Sequence, residues 1–271
     1  WETDRAQFLG RGRGVRAPQA EMDGRALSNT TGPVLDPILS LRHRVRVRPG
    51  KTVRMAFTTL VGSSRNDVVD LADKYHDVTT FERAATQAWT QAQVQLRHFG
   101  IGPDEAHLFQ ILGGSILYPD RAFRSPTDVL VRQAEGPAAL WVHGISGDLP
   151  IVLVEIDEAE DIGIVRQLLR AHEDWRMERL AVDLVILNDR APSYLQELQM
   201  LIETLVRTSQ ATPRQAGQES RGNVFILRAG RVTAGQRDVL ESVARAALSN
   251  RRGTLAAQVA RARRSDATAI T

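Results

Sequence analysis

The chain has 271 residues, 42% of them hydrophobic and 25% charged, which is the balance of an ordinary globular protein with ample length for a core. No apolar run approaches the roughly 20 residues a membrane-spanning helix needs, and the absence of cysteine excludes disulfides and thiolate metal sites. A net charge of +3 with only 5% aromatic residues, and no recognisable nucleic-acid module, argues against binding a phosphate backbone.

The basic charge is nearly all arginine, since Lys51 and Lys74 are the only lysines. Arginine's planar fork suits phosphate, carboxylate and stacked sugar faces, and codon bias in a GC-rich genome produces the same excess. The chain opens at Trp1 without an initiator methionine or a signal-peptide pattern. The expectation is a piece of something longer.

In chain order, residues 1–63 read as β and loop. Leu41 to Arg48 alternates with period 2, placing Leu41, His43, Val45 and Val47 on one face and four arginines on the other. Pro49-Gly50 supplies a turn, and Thr52 to Val61 reads as the returning strand. Such a hairpin cannot bury its apolar face alone and calls for more sheet. The arginine face, about 20 Å long at ~3.3 Å per residue, is expected to be solvated or salt-bridged.

Residues 64–118 read as helices. Thr79 and Glu82 match a capping box, followed by an apolar stripe of Phe81, Ala84, Ala85, Ala88, Trp89, Ala92, Leu96 and Phe99. Pro103 fits the first position of the next helix, which Leu108, Ile111, Leu112 and Ile116 continue. A loop rich in Arg, Pro and Gly over 119–148 precedes a change of grammar. Strand-like runs at 151–156, 182–187 and 224–227 alternate with helical patterns over 162–177, 194–206 and 235–248, as right-handed βαβ units do. Residues 251–271 read as a basic, Ala-rich tail. No internal repeat is visible. The fold class expected is α+β in several parts: the end of a β-sandwich, a helical linker, and a small parallel α/β layer.

Few motifs carry chemistry. Gly10-Arg11-Gly12-Arg13-Gly14 has glycines but lacks the preceding strand and following Lys-Ser/Thr helix of a phosphate loop, so it reads as a flexible Arg-bearing loop near a sugar or phosphate. Asp157 and Asn188-Asp189 follow strands, where open α/β sheets place ligand groups, and they are equally residue types that cap helices. None of the six histidines forms a His-x-x-x-His pair, and there is no Gly-x-Ser-x-Gly elbow, Gly144-Ile145-Ser146-Gly147-Asp148 having the wrong spacing. Trp141, in a Gly- and Pro-flanked segment, is either core or a platform for a sugar ring.

Several long segments resemble the cyclic β-1,2-glucan synthase family. They are Trp1 to Arg13, Leu27 to Ile38, Trp89 to Val94, Leu140 to Pro150 and Leu168 to Arg176, in order and spread over roughly 1–250. The resemblance implies a large bacterial inner-membrane parent with a glycosyltransferase part that uses UDP-glucose. It also implies a soluble region similar to glycoside hydrolase family 94, on the cytoplasmic face, thought to set glucan length by phosphorolysis with inorganic phosphate. On that basis 1–63 is the C-terminal part of a β-supersandwich, 64–148 a helical linker and the start of a helical region, 149–250 an α/β module, and 251–271 the tail.

The family's catalytic acid lies in an Arg-Asp-x-x-Gln-Asp-like motif that is missing here, and Asn188-Asp189-Arg190 is no substitute. The expectation is therefore no catalytic residue, no metal and no cofactor in this segment. Asp4, Arg5, Arg11 and Arg13 match the family's loop and are expected to border a sugar site, with Trp141 and Asp148 as further substrate-binding candidates. Expected partners are β-1,2-glucan and the remaining domains of the same polypeptide, with no nucleic acid, and a membrane only through parts of the parent lying elsewhere. The alternative is a non-catalytic carbohydrate-binding or scaffolding module of a 1,2-β-oligoglucan phosphorylase. A free-standing nucleotide-binding α/β domain is disfavoured because the glycine fingerprint is absent.

Overall fold

The computed structural model describes residues 1–22, 24–118, 121–131, 135–190, 197–210 and 222–269. It divides into two units, Trp1–Ala85 and Thr86–Thr271.

In the first unit a short strand β1 (Glu2–Asp4) pairs antiparallel with β2 (Pro37–Ser40). The Glu2 side chain is buried and accepts from the Thr3 and Asp4 amides at 3.0 and 3.1 Å and from the Ser28 hydroxyl at 2.8 Å, tying β1 to the loop before β2. Burial alone pushes this carboxyl up, but the hydrogen bonds more than offset it and hold Glu2 below the ordinary carboxylate range. Asp4 caps helix α1 (Arg5–Leu9) by accepting from the Ala6 amide at 2.8 Å. Gly10 follows with φ +78°, where a Cβ would run into the Gln19 side chain of α2 (Gln19–Met22).

Two expectations fail in this unit. Neither 41–48 nor 52–61 forms a strand. Leu41, Val47, Val53, Met55, Phe57 and Val61 are all exposed, so the alternating pattern has no sheet to bury its apolar face against. The capping box falls elsewhere too. Ser64 and Asp67 exchange reciprocal bonds at 3.2 and 3.0 Å at the head of α3 (Arg65–Tyr75). Helix α4 (Val78–His98) is instead led by Asp77, which accepts from the Thr79 amide at 3.2 Å, leaving Thr79 and Glu82 inside the helix. Only the end of the α4 apolar stripe is engaged: Leu96 and Phe99 pack on the core of the second unit, while Phe81 and Trp89 are exposed.

The second unit is built on a parallel sheet of β3 (Ile151–Ile156), β4 (Asp183–Asn188), β5 (Val224–Arg228) and β6 (Ala246–Ser249), ordered β5-β4-β3-β6. Strands β3 and β4 are buried almost throughout, which explains their unbroken apolar runs. Alternate residues serve two cores. Val152, Val154, Ile156, Leu184 and Ile186 pack under α5 (Pro103–Leu117), α7 (Gly163–Met177), α8 (Glu197–Gln210) and α10 (Leu255–Ala269). Leu153, Val185, Leu187 and Leu227 face α9 (Ala234–Val243) together with Leu140 and Ile145. Pro103 does open α5, and a short helix α6 (Thr127–Val131) follows it.

Here the sequence misleads at one end. Residues 246–248, expected as the end of a helix, fall in β6, and 255–269, expected as part of a basic tail, form α10 with Leu255, Val259 and Ala262 buried. Ala246-Ala247-Leu248 has neither β-branching nor alternation, so nothing local distinguishes it from a helix; pairing with β3 decides it. The expected helix start at 194 lies outside the described residues. Gly222, with φ +107°, enters β5 so close to Val182 that any Cβ would strike its backbone.

His172 of α7 is buried, with its Nε2 donating to the Val182 carbonyl at 2.9 Å. Burial lowers its pKa to about 4, the carbonyl opposes that fall and the Arg176 charge adds to it. A base whose folded pKa lies below its unfolded value binds fewer protons folded, so stability is full above pH 6.5 and drains as pH falls toward about 4. The loss approaches about 3 kcal/mol from this group. Thermal melts of the wild type are expected to drop across that window, and His172→Gln, which keeps a donor for Val182, to flatten the drop; parallel profiles would refute the assignment.

Candidate functional site at the carboxyl edge of the parallel sheet

The carboxyl ends of β3, β4 and β6 carry a dense set of charges. Arg237 of α9 donates to Glu155 at 2.6 Å, to Asp189 at 2.8 Å and to Glu241 at 2.9 Å. Arg251, just after β6, reaches Asp157 at 2.6 Å and Asp189 at 3.3 Å. Asn250 bridges the loop after β3, donating to Asp157 at 2.7 Å and Asp161 at 2.8 Å. The hydrogen bond from Asn250, then those from Arg251, hold Asp157 below the usual carboxylate range. Burial pushes Glu155 up, against the pull of Arg237. Arg237 is raised by its bond to Asp189 and the surrounding carboxylates.

Asp157 is therefore no helix cap. The residue before α7, Ile162, offers no side-chain cap at all. Asn188 donates to Gln199 of α8 at 2.9 Å, and Asp189 is held by two arginines. On the α9 side these groups are committed to one another.

On the other face of the same edge lies an open cavity of about 510 Å³ between the β3–α7 and β6–α10 connections. Its walls include Glu160, Asp161, Arg166, Gln167, Asn250 and Thr254. Gln258 fixes the second connection by bonding the Ser249 carbonyl and the Gly253 carbonyl, both at 2.8 Å. Strand order reverses between β3 and β6, and since α7 and α10 pack on the same face, the cavity lies between two neighbouring connections at the carboxyl edge, where open α/β sheets place ligand groups. The sequence could not show this, because β6 and α10 were illegible. The visible signal was Asp157 alone.

The residues expected from sequence fall in two places. Asp4, Arg5, Arg11 and Arg13 lie in the first unit. Asp4 caps α1, Arg5 reaches Asp36 at 3.4 Å, Arg13 Nη1 lies 2.7 Å from the Met22 sulfur, and Arg11 is exposed. Trp141 and Asp148 lie in the second unit on one loop joined through Ser146. The Trp141 indole donates to the Ser146 carbonyl at 3.2 Å, and the Asp148 amide to the Ser146 hydroxyl at 3.2 Å. Trp141 is 65% exposed, which favours the platform over the core. Among the described residues no group of three or more potential ligands could hold a metal ion, and no helix is long and apolar enough to cross a membrane.

Residues 1–78 match the supersandwich domain of glycosyl hydrolase 94. Over 261 residues, 96% of its length, the chain is 39% identical to a cyclic beta-(1,2)-glucan synthase, NdvB, of Rhizobium meliloti. The chain resembles one stretch of a glucan synthase. It spans only 9% of that protein's length. The resemblance to glucan synthases and the mixed architecture expected from sequence both hold, with a glycosyl hydrolase 94 supersandwich match at the start, helices after it and a parallel α/β layer.

Removing Arg237 leaves Glu155 and Asp189, each less than one-fifth exposed, without their main counter-charge. Arg237→Ala is expected to cost roughly 2–3 kcal/mol, less than the ~3–5 of a fully buried pair because a third of the side chain is in water. Arg251→Ala, at a side chain 62% exposed, should cost at most about 1 kcal/mol. Urea unfolding followed by circular dichroism measures both; equal effects would mean that the network is not centred on Arg237.

Proposed function

We propose that the chain is a non-catalytic segment of a cyclic β-1,2-glucan synthase-like enzyme, supplying sandwich edge, helical connection and an α/β module around the glucan-handling machinery. The observation that carries this reading is similarity to a glucan synthase along 96% of the chain, joined to a glycosyl hydrolase 94 match at its start. The parent would sit in a bacterial inner membrane, use UDP-glucose to build glucan, and trim it on the cytoplasmic face by phosphorolysis with inorganic phosphate. Its other domains and the glucan itself would be this segment's partners.

Physical chemistry supports the non-catalytic part. Inverting phosphorolysis needs a carboxylic acid poised to protonate the leaving oxygen. Glu155 is the carboxyl at the sheet edge that burial raises, yet its Oε1 takes an Arg237 bond at 2.6 Å, which opposes holding a proton there. Asp157 and Asp189 are ion-paired. The missing Asp-bearing motif agrees with this.

A second reading, a carbohydrate-binding module, draws on one observation: Trp141 and its neighbour Val142 are exposed, at 65% and 71%, beside buried Leu140. An indole held in place by Ser146 is a ready face for a sugar ring. Asp4, Arg5, Arg11 and Arg13 would border sugar in the first unit.

Two assays test the proposal. The 271-residue chain with β-1,2-glucan and phosphate is expected to release no glucose 1-phosphate, and release would overturn the non-catalytic assignment. Membranes from cells expressing the gene that encodes this chain are expected to build β-1,2-glucan from UDP-glucose, and deletion of this segment to stop it. Unchanged synthesis after deletion would refute the placement.

A further inference from the structure

The cavity at the reversal of strand order has a lining that selects a class of ligand. It carries two carboxylates, Glu160 and Asp161, and two guanidiniums, Arg166 and Arg170, so its formal charge cancels. Asp161 accepts from Asn250 at 2.8 Å and Arg170 is paired with Glu105 at 3.0 Å. The side chains of Glu160 and Arg166, by contrast, make no hydrogen bond or ion pair with a described residue. An acceptor-only group and a donor-only group are thus left unengaged in one wall. The buried Ile164 and Leu255 give the same cavity an aliphatic floor.

A phosphate or nucleotide would meet the two acids of the β3–α7 connection, and a cation would meet the two arginines. A neutral polyol meets neither penalty. Each sugar hydroxyl can donate to Glu160 and accept from Arg166, and the C–H face of a pyranose suits aliphatic side chains. The volume of about 510 Å³ lies within the ~300–1,000 Å³ typical of small-ligand pockets.

We propose that this cavity between the β3–α7 and β6–α10 connections is a saccharide subsite for a short, uncharged glucan, with Glu160 and Arg166 gripping its hydroxyls. The choice of glucan rests on the function proposed above; the choice of a neutral polyol rests on the lining. Glu160 and Arg166 are both exposed, so replacing them leaves the cores untouched.

The test is an NMR or calorimetric titration of the 271-residue chain with a β-1,2-linked glucotetraose, and separately with inorganic phosphate. The wild type is expected to bind the saccharide and not phosphate. Glu160→Ala and Arg166→Ala should each weaken it about tenfold or more, the loss of a hydrogen bond to a charged group, while Met200→Ala, at an exposed α8 residue outside the cavity lining, binds as the wild type. Three results overturn the subsite: no saccharide binding, binding of phosphate instead, or saccharide binding lost in Trp141→Ala and unchanged in the two cavity variants. None of these touches the UDP-glucose assay, so the subsite and the parent's function fail separately.

Discussion

Two-sided burial of β3 and β4 is the constraint from which the second unit follows. A strand with no face toward water must be roofed on both sides, and parallel neighbours force long crossovers that supply the roofing helices. The chain runs β3, β4, β5 in one direction with α7 and α8 over one core, then returns with α9 over the other and lays β6 against the free edge of β3. Crossovers of constant hand demand that change of face once the direction reverses. The reversal sets the β3–α7 and β6–α10 connections side by side on the same face of the sheet, and the cavity opens between them. The cavity beside Asn250 is a consequence of sheet order before it is a property of any side chain.

The same geometry gathers charge. Strand ends bring polar residues to one edge, and here Glu155, Asp157 and Asp189 arrive within reach of Arg237 and Arg251. Unpaired, three half-buried carboxylates would repel one another and be costly. Arginine resolves this because its fork can satisfy several oxygens at once, and Arg237 spans three acids from two strands and its own helix. The edge is consequently divided. The α9 side is closed by its own ion pairs, and the α7–α10 side keeps room.

What could be read from sequence tracks how local each cause is. Unbroken apolar runs such as Ile151 to Ile156 are intrinsic signals of a buried strand, and the 3.6-residue stripe through Leu168, His172 and Trp175 announces α7 before any contact is known. Pro103 marks its helix start equally well. Ala246 to Ser249 carries no such signal, because small residues that favour a helix become a strand only when β3 offers an unpaired edge. With β6 invisible, the strand reversal was invisible, and the cavity could not be anticipated. Asp157 showed in the sequence, but its partners Asn250 and Arg251 lie about ninety residues downstream.

The first unit gives the opposite lesson. Residues 41–61 hold the alternation of a sheet strand, and the match to a supersandwich domain over 1–78 agrees with that pattern. Yet a strand is a relation between two segments, not a property of one: its amides and carbonyls need a ladder and its apolar face needs a second layer. Among the described residues that segment finds neither, and most of its large apolar side chains stand in water. Where pairing does exist, at β1 and β2, one buried carboxylate, Glu2, gathers hydrogen bonds from β1 and from Ser28 in the loop before β2. Pattern proposes a strand, and a partner decides it.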